Sequence, residues 1–169
     1  MTKTNTSFSN LPQFLGNIQR QKLAAQKNKG FDVARIEQER KNILDLNLVV
    51  GVDCSGSIST SMFKDFMIQL DHIKGMSRIK VVEVSDIIEA VYDFSRRGSK
   101  VVRLKGGGGN GEDKFFPLAQ KIQPDAIIYM TDGYCIDNVP NPNIPTAWIL
   151  TANGVKPYRW GEVIGKLQH

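Results

Sequence analysis

Residues 48–57 read LVVGVDCSGS, an apolar run that ends abruptly at Asp53 and continues with Ser55 and Ser57 at alternate positions. A continuous apolar run is typical of a parallel strand buried on both faces, and α/β proteins place ligands at the carboxyl ends of such strands. One carboxylate and two hydroxyls are hard oxygen ligands, which suit Mg²⁺ or Mn²⁺ better than Zn²⁺. The stretch therefore predicts a divalent-cation site, with capping of the following helix as the competing interpretation.

A second apolar run ends in an acid in the same way. Residues 126–131 read AIIYMT and lead into Asp132-Gly133. In a doubly wound sheet such strand ends meet at the switch point in strand order, so Asp132 should lie near Asp53. Neutral hydroxyl ligands would leave a bound cation with net positive charge and with positions open to water or an incoming carboxylate. The two strand ends together favour the metal site over simple helix capping.

The remaining segments predict an α/β sandwich. An apolar stripe at helical spacing follows the first strand, and residues 78–85 and 87–95 have the pattern of two further strands. Their connection is too short for a crossover, so they should form an antiparallel hairpin. A helix over residues 112–122, a strand at 146–151 and a short strand or helix within 159–167 complete a sandwich whose sheet is mostly parallel with one antiparallel edge strand.

Composition divides the chain into a basic N-terminal arm, residues 1–45, and a domain, residues 46–169. The arm carries +4 of the net charge of +5, from eight Lys or Arg against four Asp or Glu. Its first ten residues have a disordered composition, and thin apolar stripes within 14–23 and 33–43 predict one or two helices that dock on the domain or on a partner. The domain lacks a matching basic excess, which argues against a nucleic-acid partner.

Several other classes of protein are not expected. No apolar stretch reaches the roughly 18 residues of a membrane span, and the polar N-terminus has no secretory signal. Cys54 and Cys135 are too few for a disulfide framework, which favours a reducing cytoplasm. The two histidines form no HExxH motif, and His72 falls at the far end of its helix from the serines, which argues against hydrolase chemistry.

These motifs carry a family resemblance. The DCSGS of residues 53–57 resembles the DxSxS motif of von Willebrand factor A (VWA) domains, and the TDG of residues 131–133 resembles their TDG motif. The glycines at 106–109 resemble the intervening GGGT loop. The likeness covers about residues 46–167. It is closest to VWA-like domains of bacterial and phage proteins associated with MoxR-type AAA+ ATPases, which share a following P…W-x-L strand, here Pro145 and 148–150.

The resemblance implies a Rossmann-like three-layer sandwich with a metal-ion-dependent adhesion site (MIDAS) at the strand ends. Asp53, Ser55 and Ser57 would hold Mg²⁺ (or Mn²⁺) directly or through water, and Asp132 would take the second acidic position. An acidic residue of a partner protein would complete the coordination. The implied function is that of a non-enzymatic adaptor, with a MoxR-like AAA+ ATPase as a candidate partner.

One departure from the family pattern affects this site. The threonine that follows the family's Gly-rich loop is missing, and counting from the glycines puts Asn110 in its place. Counting back from Pro117 puts Asp113 there instead. An aspartate would neutralise the ion further and weaken its pull on a partner carboxylate, so metal binding could persist while adhesion differs.

Two alternatives to the adaptor remain open. The missing threonine favours a metal-free structural or scaffolding protein that kept the fold. The shared strand ends could also support Mg²⁺-dependent phosphoryl transfer. Against that enzymatic reading, Glu112 and Asp113 follow the Gly-rich loop where a phosphate-binding loop has Lys and Ser or Thr.

Overall fold

The computed structural model describes residues 10–28, 46–73, 77–94, 108–135 and 137–167. The predicted disordered N-terminus, the second stripe of the arm at 33–43 and the first glycines of the Gly-rich loop lie outside these ranges.

Six strands form one sheet in the order β3-β2-β1-β4-β5-β6. Every neighbouring pair is parallel except the β2–β3 hairpin at one edge. This confirms the predicted fold class, a mostly parallel α/β sheet with one antiparallel edge strand. The strands are β1 (Leu46–Asp53), β2 (Ser77–Val84), β3 (Ile88–Asp93), β4 (Ala126–Thr131), β5 (Thr146–Leu150) and β6 (Glu162–Lys166).

The two central strands are buried on both faces, which is why their sequences are continuously apolar. In β1 every residue except Asn47 is buried, and in β4 all are. Alternate side chains enter two separate cores: Val50 and Val52 pack on one side, whereas Val49 packs on the other. Asp53 is four residues after Val49, so its side chain lies on the same face of the sheet as that of Val49, at the end of the strand.

Helices cover the two faces unequally. Helices α1 (Leu11–Asn28) and α2 (Thr60–Ile73) contribute to the first core, whereas α3 (Glu112–Ile122) contributes to the second. In α1 the buried positions are Leu11, Phe14, Leu15 and Ile18, at helical spacing. Lys22 Nζ reaches Asp125 Oδ2 at 2.7 Å just before β4. The first helix of the basic arm therefore packs into the core of the domain.

The second core is a cluster of aromatic rings beneath α3. Tyr129 of β4 lies 4.7 Å from Phe115 and 5.9 Å from Trp148, measured between ring centroids. Gly51 of β1 makes this possible, because a methyl group at its Cα would overlap the Tyr129 ring and lie 2.7 Å from a Phe115 ring carbon. The glycine before Val52-Asp53 is thus a packing requirement of the strand.

We expect Gly51→Ala to lower the free energy of unfolding by about 1–3 kcal/mol, because the added methyl overpacks the aromatic cluster. Urea unfolding followed by tryptophan fluorescence measures this. Gly16→Ala is the matched control: its new methyl would meet nothing closer than Arg20 Nη1 at 4.0 Å. In the interior of α1 that change should stabilise by about 0.5–1 kcal/mol. A Gly51→Ala protein as stable as wild type would contradict the packing argument.

Candidate metal centre

The candidate site begins at Asp53, whose carboxylate is 1% exposed at the end of β1. Its Oδ1 accepts a hydrogen bond from the Ser55 backbone N–H at 2.8 Å, and its Oδ2 accepts one from Thr131 Oγ1 at 2.9 Å. One oxygen therefore fixes the turn that follows β1, and the other joins β1 to the end of β4. We call this end of the sheet, where β1 and β4 finish, the carboxyl edge.

The two serine hydroxyls of the motif contact each other in the turn that follows Asp53. Ser55 Oγ and Ser57 Oγ lie 3.0 Å apart, within hydrogen-bond distance. Ser55 is buried and Ser57 is exposed, so the pair leads from the protein interior to solvent. Two hydroxyl oxygens at alternate positions of one turn are neutral oxygen donors of the kind that a small hard cation accepts.

The competing interpretation, helix capping by Asp53 or Ser55, is wrong for this geometry. Helix α2 begins only at Thr60, and the side chain that caps it is Ser59, whose Oγ accepts the Met62 backbone N–H at 3.2 Å. Asp53 instead closes a local turn onto the Ser55 N–H. The side chains of the DxSxS motif therefore do not cap the helix, and their oxygens are not used in its first turn.

Asp132 lies at the carboxyl edge directly after β4 and is partly exposed. Its Oδ1 accepts the Tyr134 N–H at 3.1 Å, and Gly133 between them has φ +77°, a backbone conformation that favours glycine. A side chain on Gly133 would also overlap the Val155 carbonyl oxygen. The TDG sequence thus forms a tight turn. Only Oδ1 of Asp132 takes part in the hydrogen bonding of this turn, and Oδ2 does not.

The electrostatics of Asp53 reflect its position. Burial raises its pKa, the hydrogen bonds from Ser55 and Thr131 oppose that rise, and the negative charge of Asp132 adds to it. Asp132 is therefore close enough to influence Asp53, as expected for strand ends meeting at a switch point. A cation between the two acids would favour the ionised form of both.

Asn110 and Asp113, the two candidates for the missing threonine, have different surroundings. Asn110 is partly buried, and its Nδ2 donates to the Tyr134 carbonyl oxygen at 2.7 Å, which ties the Gly-rich loop to the turn after β4. Asp113 is exposed and lies 3.1 Å from Lys114 Nζ. Asn110 therefore lies beside the candidate site, whereas Asp113 points to solvent.

Glu112, between those two residues, was not among the predicted ligands. It is fully buried, and neither of its carboxylate oxygens has a hydrogen-bond partner in the part of the chain that the structure describes. Burial, together with the nearby charges of Asp53, Asp137 and Asp132, raises its pKa to about 7. The sequence did contain a signal: Glu112 shares the spacing of Phe115, Phe116 and Ala119, which form the inward face of α3.

The donor set fits a small hard cation. Across the described ranges, no three Asp, Glu, His or Cys side chains converge closely enough to hold an ion by themselves. Mg²⁺ does not require such a cage, because it keeps several waters and is commonly bound through one or two carboxylates. Asp53, Ser55, Ser57 and Asp132 are the residues that would hold it, with water completing the coordination.

A mostly parallel sheet that brings DxSxS and TDG motifs to its carboxyl edge defines a VWA-like α/β protein. Comparison with known families agrees: the model of the VWA-like domain (DUF2201) matches residues 48–166. The chain belongs to this family.

More distant relatives are diverse. Two curated proteins of Solanum tuberosum, both named internal alternative NAD(P)H-ubiquinone oxidoreductase A1, mitochondrial, are 27% identical to the chain over 131 residues. The match covers 72% of this chain but 23% of those proteins. A solved structure of an aerotolerance-related membrane protein from Bacteroides fragilis NCTC 9343, with multiple mutations to serines, is 11% identical with a TM-score of 0.42. That likeness covers 62% of this chain and 67% of the other.

Within the described ranges, no helix is both long enough and apolar enough to cross a bilayer.

The raised pKa of Glu112 predicts how stability depends on pH. The folded state binds this proton more tightly than the unfolded chain, because the pKa rises from 4.5 to about 7. The stabilisation is complete below the unfolded pKa and is lost as pH rises through the folded one, a difference on the order of 3 kcal/mol. Urea unfolding in EDTA should therefore show wild type weakening between about pH 5 and about pH 8.

Glu112→Gln should flatten that pH dependence, since the amide does not titrate. Asp113→Asn is the matched control, because it removes an exposed acid one residue away and should keep the wild-type slope. Identical slopes for wild type and Glu112→Gln would show that Glu112 does not titrate in the buried position described here.

Proposed function

We propose that this protein is a divalent-cation-dependent protein-binding module, an adaptor and not an enzyme. The observation that carries the proposal is the buried Asp53 followed by a turn in which the Ser55 and Ser57 hydroxyls contact each other. Mg²⁺ or Mn²⁺ held there would act as a Lewis acid toward a carboxylate supplied by a partner. Asp53 would fix the ion, and the exposed Ser57 would lie on the side from which the partner approaches.

The surface around the carboxyl edge supports protein binding. Tyr134 is 61% exposed, yet it is held at three points: its N–H donates to Asp132 Oδ1, its carbonyl accepts from Asn110, and its hydroxyl donates to the Asn153 carbonyl at 3.1 Å. Val155 beside this turn is 44% exposed. A rigidly held, exposed tyrosine is typical of residues that dominate protein interfaces, because little conformational freedom is lost on binding.

Isothermal titration with Mg²⁺ and Mn²⁺ tests the cation site directly. Wild type should release or absorb heat on binding, and Asp53→Asn should abolish it, because the amide removes the negative charge while keeping the shape of the side chain. Glu162→Gln is the control for charge: this exposed acid lies at the start of β6, at the opposite end of the sheet, and its loss should leave binding unchanged. A wild type that binds neither ion would overturn the proposal.

The partner and compartment are part of the same proposal. A MoxR-like AAA+ ATPase in the cytoplasm is the partner that the motif resemblance suggests, with an acidic side chain reaching the cation. Pull-down of such a purified ATPase should succeed in Mg²⁺, fail in EDTA, and fail with Asp53→Asn. Tyr134→Ala should weaken capture while leaving cation binding intact, since Tyr134 would contribute contact area and not coordination.

A metal-free scaffolding role is the second candidate. It is favoured by the missing threonine and by the hydrogen bonds from Ser55 and Thr131, which satisfy both oxygens of Asp53 without an ion. In that case partner capture would be the same in Mg²⁺ and in EDTA, and Asp53→Asn would affect stability but not capture. The two candidates therefore give opposite results in a single pull-down series.

A further inference from the structure

Three buried side-chain oxygens in the described part of the chain lack a hydrogen-bond partner. They are both carboxylate oxygens of Glu112 and the hydroxyl of Tyr129. Buried polar atoms are almost always paired in folded proteins, and an unpaired carboxylate is the least favourable case because it loses hydration without compensation. The Glu112 carboxylate can therefore accept a ligand that the described side chains do not supply.

The position of Glu112 relative to Asp53 follows from the backbone. Asp53 pairs with Val84 in the register of β1 and β2, and the Cys54 N–H donates to the Val84 carbonyl at 2.7 Å. Gly111 packs so closely on this pair of strand ends that a side chain there would overlap the Ser85 carbonyl oxygen. Helix α3 starts at the next residue. Glu112 therefore enters the interior at the carboxyl edge, on the face of the sheet to which Asp53 also points.

We propose that Glu112 is a ligand of the cation at Asp53, Ser55 and Ser57, directly or through a bound water, and that it replaces the hydroxyl missing after the Gly-rich loop. This inference rests on the proposed function. Glu112 would thus replace the missing threonine, in place of Asn110 or Asp113, the two positions that counting along the sequence suggested. The carboxylate lies in the first turn of α3, where the helix dipole also favours negative charge.

The chemistry of the ion changes as a consequence. With Asp53 and Glu112 as its two acidic ligands, a divalent cation would have its charge matched by carboxylates of this chain alone. Such a site retains the ion by its own acids, so cation binding does not need the partner. It also attracts a partner carboxylate less strongly than a site whose third ligand is neutral.

The test is titration of the purified chain with Mn²⁺ alone, without any partner. Wild type should bind, and Glu112→Gln should bind at least about ten-fold more weakly, the effect expected when a residue that supports a metal site is lost. Asp113→Asn, which removes an exposed acid from the same helical turn, should stay within about two-fold of wild type, since solvated charges contribute little. Circular dichroism checks that each variant is folded.

The outcomes separate this inference from the proposed function. Binding that survives in Glu112→Gln but is lost in Asp53→Asn overturns the role of Glu112 and leaves the cation site in place. No binding by wild type overturns both. If Glu112→Gln does not fold, Glu112→Asp keeps the charge and withdraws the carboxylate by one methylene. Weaker Mn²⁺ binding by that folded variant supports the inference, and wild-type affinity overturns it.

Discussion

The hydrogen bond from the Thr131 hydroxyl to the buried Asp53 carboxylate joins the ends of the two central strands. Both strands are buried on both faces, so the carboxylate can be ionised there only if its oxygens are paired. Thr131 Oγ1 also accepts the Gly133 N–H at 3.0 Å. The same hydroxyl therefore fixes the turn after β4 relative to Asp53. The DxSxS and TDG motifs are therefore one hydrogen-bonded unit, although 78 positions separate Asp53 from Thr131.

Within the described ranges, three other segments at the carboxyl edge connect to this unit. In the turn after β4, the Tyr134 N–H donates to Asp132 and the Tyr134 carbonyl accepts from Asn110. The Tyr134 backbone therefore connects the end of β4 to the Gly-rich loop. The β5–β6 connection joins through Val155, whose N–H donates to the Asp132 carbonyl at 2.9 Å. Loops from three places in the sequence thus form a single surface, which is the arrangement expected of a binding face in an α/β sheet.

The sequence was sufficient to predict a strand or a strand pairing where its local pattern reflects the burial of that strand or the length of a connection. The apolar runs of β1 and β4 predicted strands because both faces of those strands are covered, and the short connection between β2 and β3 predicted an antiparallel pair because it leaves no room for a crossover. The bond between Asp53 and Thr131 could not be predicted as such, because it depends on which strands become neighbours. The inward position of Glu112 was missed for another reason: counting along a loop does not reveal which side chain the following helix buries.

Burying the acids Asp53 and Glu112 costs free energy of folding, which the apolar packing of the domain must offset. The aromatic cluster of Phe116, Trp148 and Trp160 packs on one face of the sheet, and the apolar core under α1 and α2 packs on the other. That packing offsets the cost of holding Asp53 and an unpaired Glu112 in the interior. Sites that bind ligands commonly break local rules of burial and are supported by the rest of the fold. A cation that bound these acids in the folded state alone would stabilise that state by mass action, so its binding would be thermodynamically linked to the stability of this edge.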